Sequence, residues 1–317
     1  MKRKLAVVAV VLGAAATLMA ANGVVSSKDN PLQVALLQWY QANQVPTTFP
    51  AGFLPVGLAF DGASIWVANA GAESNNVMKF RASDGALLLT TGVGTTPTGI
   101  VFDGANIWTA NQGSNNVTKV QASTGTVLGT FAVGTNPIGI AFDGTNIWVT
   151  NEQGASVTKL EASNGALIGT FAVGSAPLGI AFDGTNIWVA NESSNNVMKL
   201  NEAGKVIGTF AVGTDPVYLA FDGTDMWVTN TGSNNVTKLS SSGTVLGTFA
   251  VGTGPFGIAF DGANMWVANH GSNTVTKLSS TGTVLGTFAV GNSPWPVAFD
   301  GAHIWVGNQE GDNVSKL

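Results

Sequence analysis

The stretch Pro137–Asn151, reading PIGIAFDGTNIWVTN, decides the fold. Ile138 to Phe142 is a short apolar run, and Asp143-Gly144 then opens a tight turn, the glycine supplying the positive φ that hairpin turns need. Asn146 to Thr150 is β-branched and aromatic, the composition strands prefer. A polar segment, Asn151 to Ala155, leads to a third run at Ser156–Leu160, and Ser163-Asn164-Gly165 turns the chain into a fourth at Ala166–Val173. Four short antiparallel strands in about 40 residues make one blade of a β-propeller.

The same string recurs along the chain. Phe-Asp-Gly begins at Phe60, Phe102, Phe142, Phe182, Phe221, Phe260 and Phe299, and a Trp follows each Phe by six residues, from Trp66 to Trp305. Seven copies predict an all-β, seven-bladed propeller with four antiparallel strands per blade. The innermost strand alternates small and large residues, which suits crowding near the axis, and each Trp can fill the wider gap between blades further out. The last repeat stops at Leu317 after its third strand, while Thr47-Thr48-Phe49-Pro50-Ala51-Gly52 matches Gly169–Gly174, the end of a fourth strand. The N-terminal segment is therefore expected to complete the last blade and remove an open edge. Pro50 is tolerable there because an outermost strand does not need every N–H.

Residues 1–21 read as a secretory signal: Lys2, Arg3 and Lys4 precede an uncharged apolar run from Leu5 to Ala21. The rival reading is an uncleaved membrane anchor, for which this run is short. Either way an exported, periplasmic or extracellular domain is expected. Residues 22–45 form an extension in which Asp29-Asn30-Pro31 looks like the start of a short helix carrying Leu32, Leu36, Leu37 and Trp39, and 46–317 form the propeller.

Composition removes several function classes. The formal net charge is −5 and only 10% of residues are charged, so no cationic surface for nucleic acid is visible. The chain has no Cys, which excludes disulfides, thiolate metal sites and a lipidated N-terminal cysteine. No G-x-S-x-G, H-E-x-x-H, Walker or EF-hand string occurs, and no cofactor or metal is expected.

The strings Trp148-Val149-Thr150-Asn151 and Trp227-Val228-Thr229-Asn230, with Pro-x-Gly-Ile-Ala-Phe-Asp-Gly and Ser-Asn-Asn-Val-Thr-Lys-Leu around them, resemble YVTN-type (NHL-like) propeller repeats over residues 46–317. Trp stands for the signature Tyr in every blade. The resemblance implies architecture more than function. A more distant likeness is to streptogramin (virginiamycin B) lyases, and it would imply elimination chemistry on a cyclic peptide lactone by His residues, a Glu and Mg²⁺ on one face. The two His of this chain, His270 and His303, fall in loops expected on opposite faces, so those catalytic residues are missing.

Comparing the repeats with one another separates scaffold from site. The Asp of each Phe-Asp-Gly turn is explained by turn chemistry, and the Asn that ends each second strand by amide bonds to loop backbone. The Lys of each third strand, from Lys79 to Lys316, reads as a ring of solvated charges. Departures from the repeat cluster at the loops before strand one and after strand two. Blades five to seven add Tyr218, Phe256, Trp295 and His270, and blades three to five add Glu152, Glu192 and Asp215. An aromatic arc facing an acidic arc predicts a ligand site for a sugar, a peptide or a quaternary amine. The expected function is a monomeric binding or protein-interaction scaffold with a protein, peptide or saccharide partner. The alternatives are a metal-assisted lyase or hydrolase on the same face and a purely structural envelope component.

Overall fold

A computed structural model describes residues 47–317; the signal segment and the N-terminal extension with its expected helix lie outside the described residues. The chain forms seven four-stranded sheets, six of them built from consecutive strands. Blade three contains Pro137–Phe142, Asn146–Asn151, Ser156–Glu161 and Leu167–Ala172, innermost to outermost. In blade seven the outer strand is Thr47–Pro50, which lies beside Asn313–Lys316 and closes the ring. Pro50 sits at the end of that outermost strand.

Each blade is held to the next by the residues the repeat keeps. Gly139 of the innermost strand has no room for a Cβ, which would strike the Leu178 carbonyl of the next blade. Gly144 in the first turn has a φ of 97°, the left-handed geometry that the hairpin demands. Trp148 packs with Val157 of its own blade against Ile187, Val189 and Leu200 of the next. The outer-strand Phe171 lies on the same indole with ring centroids 5.8 Å apart.

The turn Asp does more than shape the turn. Asp143 Oδ1 accepts the backbone N–H groups of Thr145 and Asn146, and Oδ2 accepts the Trp148 indole N–H at 2.7 Å. The same Asp–Trp bond, 2.7–2.9 Å long, is present in all seven blades. Burial would raise these carboxyls, but the indole and backbone N–H donors more than offset it, and all seven are held below the usual aspartate range.

The third-strand lysines are not solvated charges. Lys119 and Lys159 are only 7% and 6% exposed. Each of the seven ammonium groups lies 4.7–5.3 Å from the centroid of its blade's Trp ring. Six of them also donate to carbonyls in the turn between strands three and four of the next blade, as Lys119 Nζ does to Ala162 O at 2.7 Å. Even spacing around the ring arises here because every blade boundary needs the same staple. A charge can be buried this way when carbonyl acceptors and an indole face replace water.

The Asn ending each second strand likewise bonds mainly to side chains. Asn151 Nδ2 donates to Ser156 and Thr158 hydroxyls, while its Oδ1 accepts the loop N–H of Gly134. One boundary is looser. Between blades six and seven, Lys277 has no carbonyl acceptor among the described residues, and Phe288 is 39% exposed where Phe131 and its equivalents lie on a glycine turn of the following blade.

Candidate ligand-binding mouth

The loops before strand one and after strand two meet on one face of the ring, and their backbone is fixed. The residue before each recurring Pro is left-handed: Leu54, Thr96, Asn136, Ala176, Asp215, Gly254 and Ser293 have φ between 51° and 60°. The carbonyl of each accepts the N–H of the residue following the second strand, at 2.9–3.0 Å in all seven blades. Asn side chains of the preceding blade, such as Asn195 to the Asp215 N–H at 2.8 Å, lock the same loops from behind. The backbone of the mouth is thus repeated and rigid, and only the side chains on it change.

Those side chains surround a central cavity of about 350 Å³. Its aromatic wall comes from blades five to seven. Phe256 and Trp295 are 4.3 Å apart between ring centroids, and His270 stands 5.3 Å from Phe256 and edge-on to Trp295 at 5.8 Å. The Trp295 indole N–H donates to the Tyr218 hydroxyl at 3.1 Å, and His270 Nε2 lies 3.3 Å from Gln309 Oε1. Tyr218 occupies a position where five blades have glycine, and its hydroxyl reaches the Trp295 indole two blades away. Like Val56, it lines both the mouth and a smaller cavity of about 140 Å³ deeper along the innermost strands. Burial raises the Tyr218 phenol above its ordinary range.

The opposite wall is polar and acidic. Glu152 and Glu192 occupy the position after the second strand in blades three and four, and both line the cavity with Thr98 and Gln112. Asn136 Nδ2 donates to Glu152 Oε2. Burial raises the Glu192 carboxyl above the usual glutamate range, and the neighbouring Asp215 and Glu152 carboxylates add to the shift.

Of the seven residues singled out from sequence, Tyr218, Phe256, Trp295, Glu152 and Glu192 line one cavity. His270 packs against Phe256 and Trp295 without lining the cavity itself, and Asp215 stands in the loop beside Glu192, close enough to influence its ionisation. Gln112, Thr96 and Gln309 also line the cavity and escaped the sequence reading. Their signal was available, since Gln112 and Gln309 hold the same repeat position as Glu152, Glu192 and His270. His303 lies in the first turn of blade seven, with Nδ1 3.4 Å from Asp300 Oδ2, on the opposite face of the ring from His270 of blade six. Among the described residues, no group of three or more His, Asp or Glu is placed to hold a metal ion.

No protein-family model and no curated protein matches the chain. Solved structures do. A streptogramin B lyase structure superposes with a TM-score of 0.75 at 19% identity, covering 86% of this chain and 96% of the lyase. Virginiamycin B lyase from Staphylococcus aureus gives 0.73 at 19% identity, covering 86% of this chain and 98% of its own. Kuenenia stuttgartiensis hydrazine synthase gives 0.73 at 19% identity over 84% of this chain and 96% of that one. At this identity the three share a propeller fold with this chain, and the fold hosts different chemistries.

Proposed function

We propose that this protein is an exported YVTN-type propeller that acts as a binding module, with the central mouth as its ligand site. The observation that carries this reading is the segregation of departures from the repeat. Everything that joins blade to blade is kept in nearly every copy, whereas the residues facing the mouth diverge into an aromatic arc and an acidic arc around one cavity. A rigid ring of loops with varied side chains suits recognition. A lyase or hydrolase reading is less well supported, because His270 is packed against Phe256 and paired with Gln309.

A thermal-shift screen of the full chain tests the proposal, using saccharides, short peptides, organic amines, streptogramins and divalent ions. A ligand that binds the folded state raises the melting temperature by mass action. The expected result is a shift from at least one class that Trp295→Ala abolishes. A shift that survives both Trp295→Ala and Tyr218→Phe would place the ligand elsewhere and remove the mouth from consideration. Turnover of a streptogramin would replace the binding reading with a catalytic one.

A further inference from the structure

Charge is distributed unequally between the two faces. Glu73, Glu152, Glu192, Asp215, Glu310 and Asp312 all lie in loops of the mouth face. No Lys or Arg among the described residues lies there. Lys79, Lys119, Lys159, Lys199, Lys238, Lys277 and Lys316 are committed to the Trp staples of the other end. Arg81 pairs with Asp84 at 2.8 Å beside the turn between strands three and four, and Lys205 opens toward the same end. The mouth therefore presents uncompensated negative charge over a cavity with low-dielectric walls, an arrangement that focuses attraction on cations.

Within the cavity the two walls ask for the same thing. Glu192 has no hydrogen-bond donor or cation beside its carboxylate among the described residues, and Asp215 and Glu152 crowd it with like charge. Across from it, Phe256 and Trp295 offer aromatic surface, with Tyr218 beneath. A neutral sugar would stack on the aromatic wall and donate hydroxyls to the carboxylates, but it brings no charge to offset their field. A bare metal ion would need converging oxygen ligands that are not grouped here. An organic cation answers both walls, with its alkyl shell on the indole and phenyl faces and its charge toward the carboxylates.

We propose that the mouth binds a small organic cation, a quaternary or protonated amine, with Trp295 and Phe256 as the aromatic contacts and Glu192 as the principal counter-ion. The inference rests on the mouth being the ligand site and adds the ligand's chemical class. The nearly isosteric pair choline and 3,3-dimethylbutan-1-ol tests it, since they differ in one charged nitrogen. Both are titrated into the full chain by calorimetry, with Glu192→Gln and Trp295→Leu beside the parent.

Choline is expected to bind while the alcohol does not, and each substitution should weaken choline by about tenfold or more. Glu192→Gln keeps the shape of the site and is not expected to disturb folding, so it stays informative even if a Trp295 variant misfolds. Equal binding of the alcohol and choline would overturn the cation assignment and leave the mouth as a site for neutral ligands. A saccharide whose binding is lost in Trp295→Leu but unchanged in Glu192→Gln would do the same. Displacement of choline by Mg²⁺ or Ca²⁺ at comparable concentration would overturn it in favour of an inorganic ion. Absence of binding by every amine, saccharide and peptide would remove both the inference and the binding reading beneath it.

Discussion

The two ends of every blade are built from the same strands and follow different rules. At the lower end, an Asp, a Trp and a Lys meet in the same geometry seven times, and six of the lysines reach the next blade. At the upper end the backbone repeats just as closely, but the residue after the second strand is Ala70, Gln112, Glu152, Glu192, Thr231, His270 or Gln309. Repetition marks what holds the ring together, and variation on a fixed backbone marks what the ring presents. In a repeat protein this contrast can be read from one sequence, because each blade serves as a control for the other six.

The lower end should fail collectively in acid. Each staple Asp has a carboxyl lowered by its indole and backbone donors, with Lys79, Lys199, Lys238 and Lys277 adding cationic partners in four blades. A lowered folded-state value means that the stabilisation is complete above the ordinary aspartate value of about 4. It is lost as pH falls through the folded value. Urea denaturation at a series of pH values below about 5 should show a steep fall ending in outright unfolding, and Asp143→Asn should lessen that slope by one group's share. A stability that barely changes across this range would show that the ring is not held by these groups.

A single tryptophan should distinguish the two ends next most strongly. Trp148 is fully buried between blades, so Trp148→Ala should cost about 3–5 kcal/mol. Trp295 is only partly buried and lies on the cavity wall, so Trp295→Ala should cost about 1–2 kcal/mol. Denaturation midpoints with unchanged slopes would measure both. Equal losses would mean that the mouth aromatics are core, and the distinction between scaffold and site would collapse.

The sequence made the ring legible because its signal is repetition: seven Phe-Asp-Gly turns, seven tryptophans and a missing fourth strand that Thr47–Pro50 supplies. Five of the seven proposed mouth residues share a cavity because blade topology fixes which loops converge. The burial of the lysines has no local signal in the sequence. A charge recurring at one position looks solvated in sequence, and nothing local reveals that Lys119 reaches a carbonyl 43 residues away in the neighbouring blade. Gln112 and Gln309 stand out less in the sequence because neutral amides carry no charge or aromatic signal of their own.

The staple itself can be tested where the structure varies it. Lys119→Met keeps the apolar stem on Trp108 but leaves the Ala162 and Ser163 carbonyls without their donor. A loss of about 1–3 kcal/mol is expected. Lys277→Met removes an ammonium that has no carbonyl acceptor among the described residues and should cost less than about 1 kcal/mol. Equal losses at the two sites would assign the stability to the indole contact, which both lysines make, and not to the bridge between blades.

The smallest effect is the one that most sharply separates site from scaffold. Glu192 is a carboxylate whose folded-state ionisation is opposed by burial and by Asp215 and Glu152, with no Lys or Arg facing it. Its value is raised, so the folded protein holds that proton more tightly than the unfolded chain does. Stability then falls as pH rises from the unfolded glutamate value through the folded one. Glu192→Gln removes that fall. The variant should be more stable than the parent near pH 7, by no more than about 1 kcal/mol because the group is partly solvated, and the advantage should vanish toward pH 4. The same substitution should weaken choline. A residue whose replacement strengthens the fold while weakening a ligand is maintained against its own stability cost, whereas a scaffold residue would lose stability on replacement. If Glu192→Gln instead lowers stability at neutral pH, Glu192 belongs with the staples, and the acidic arc loses its claim to be a counter-ion.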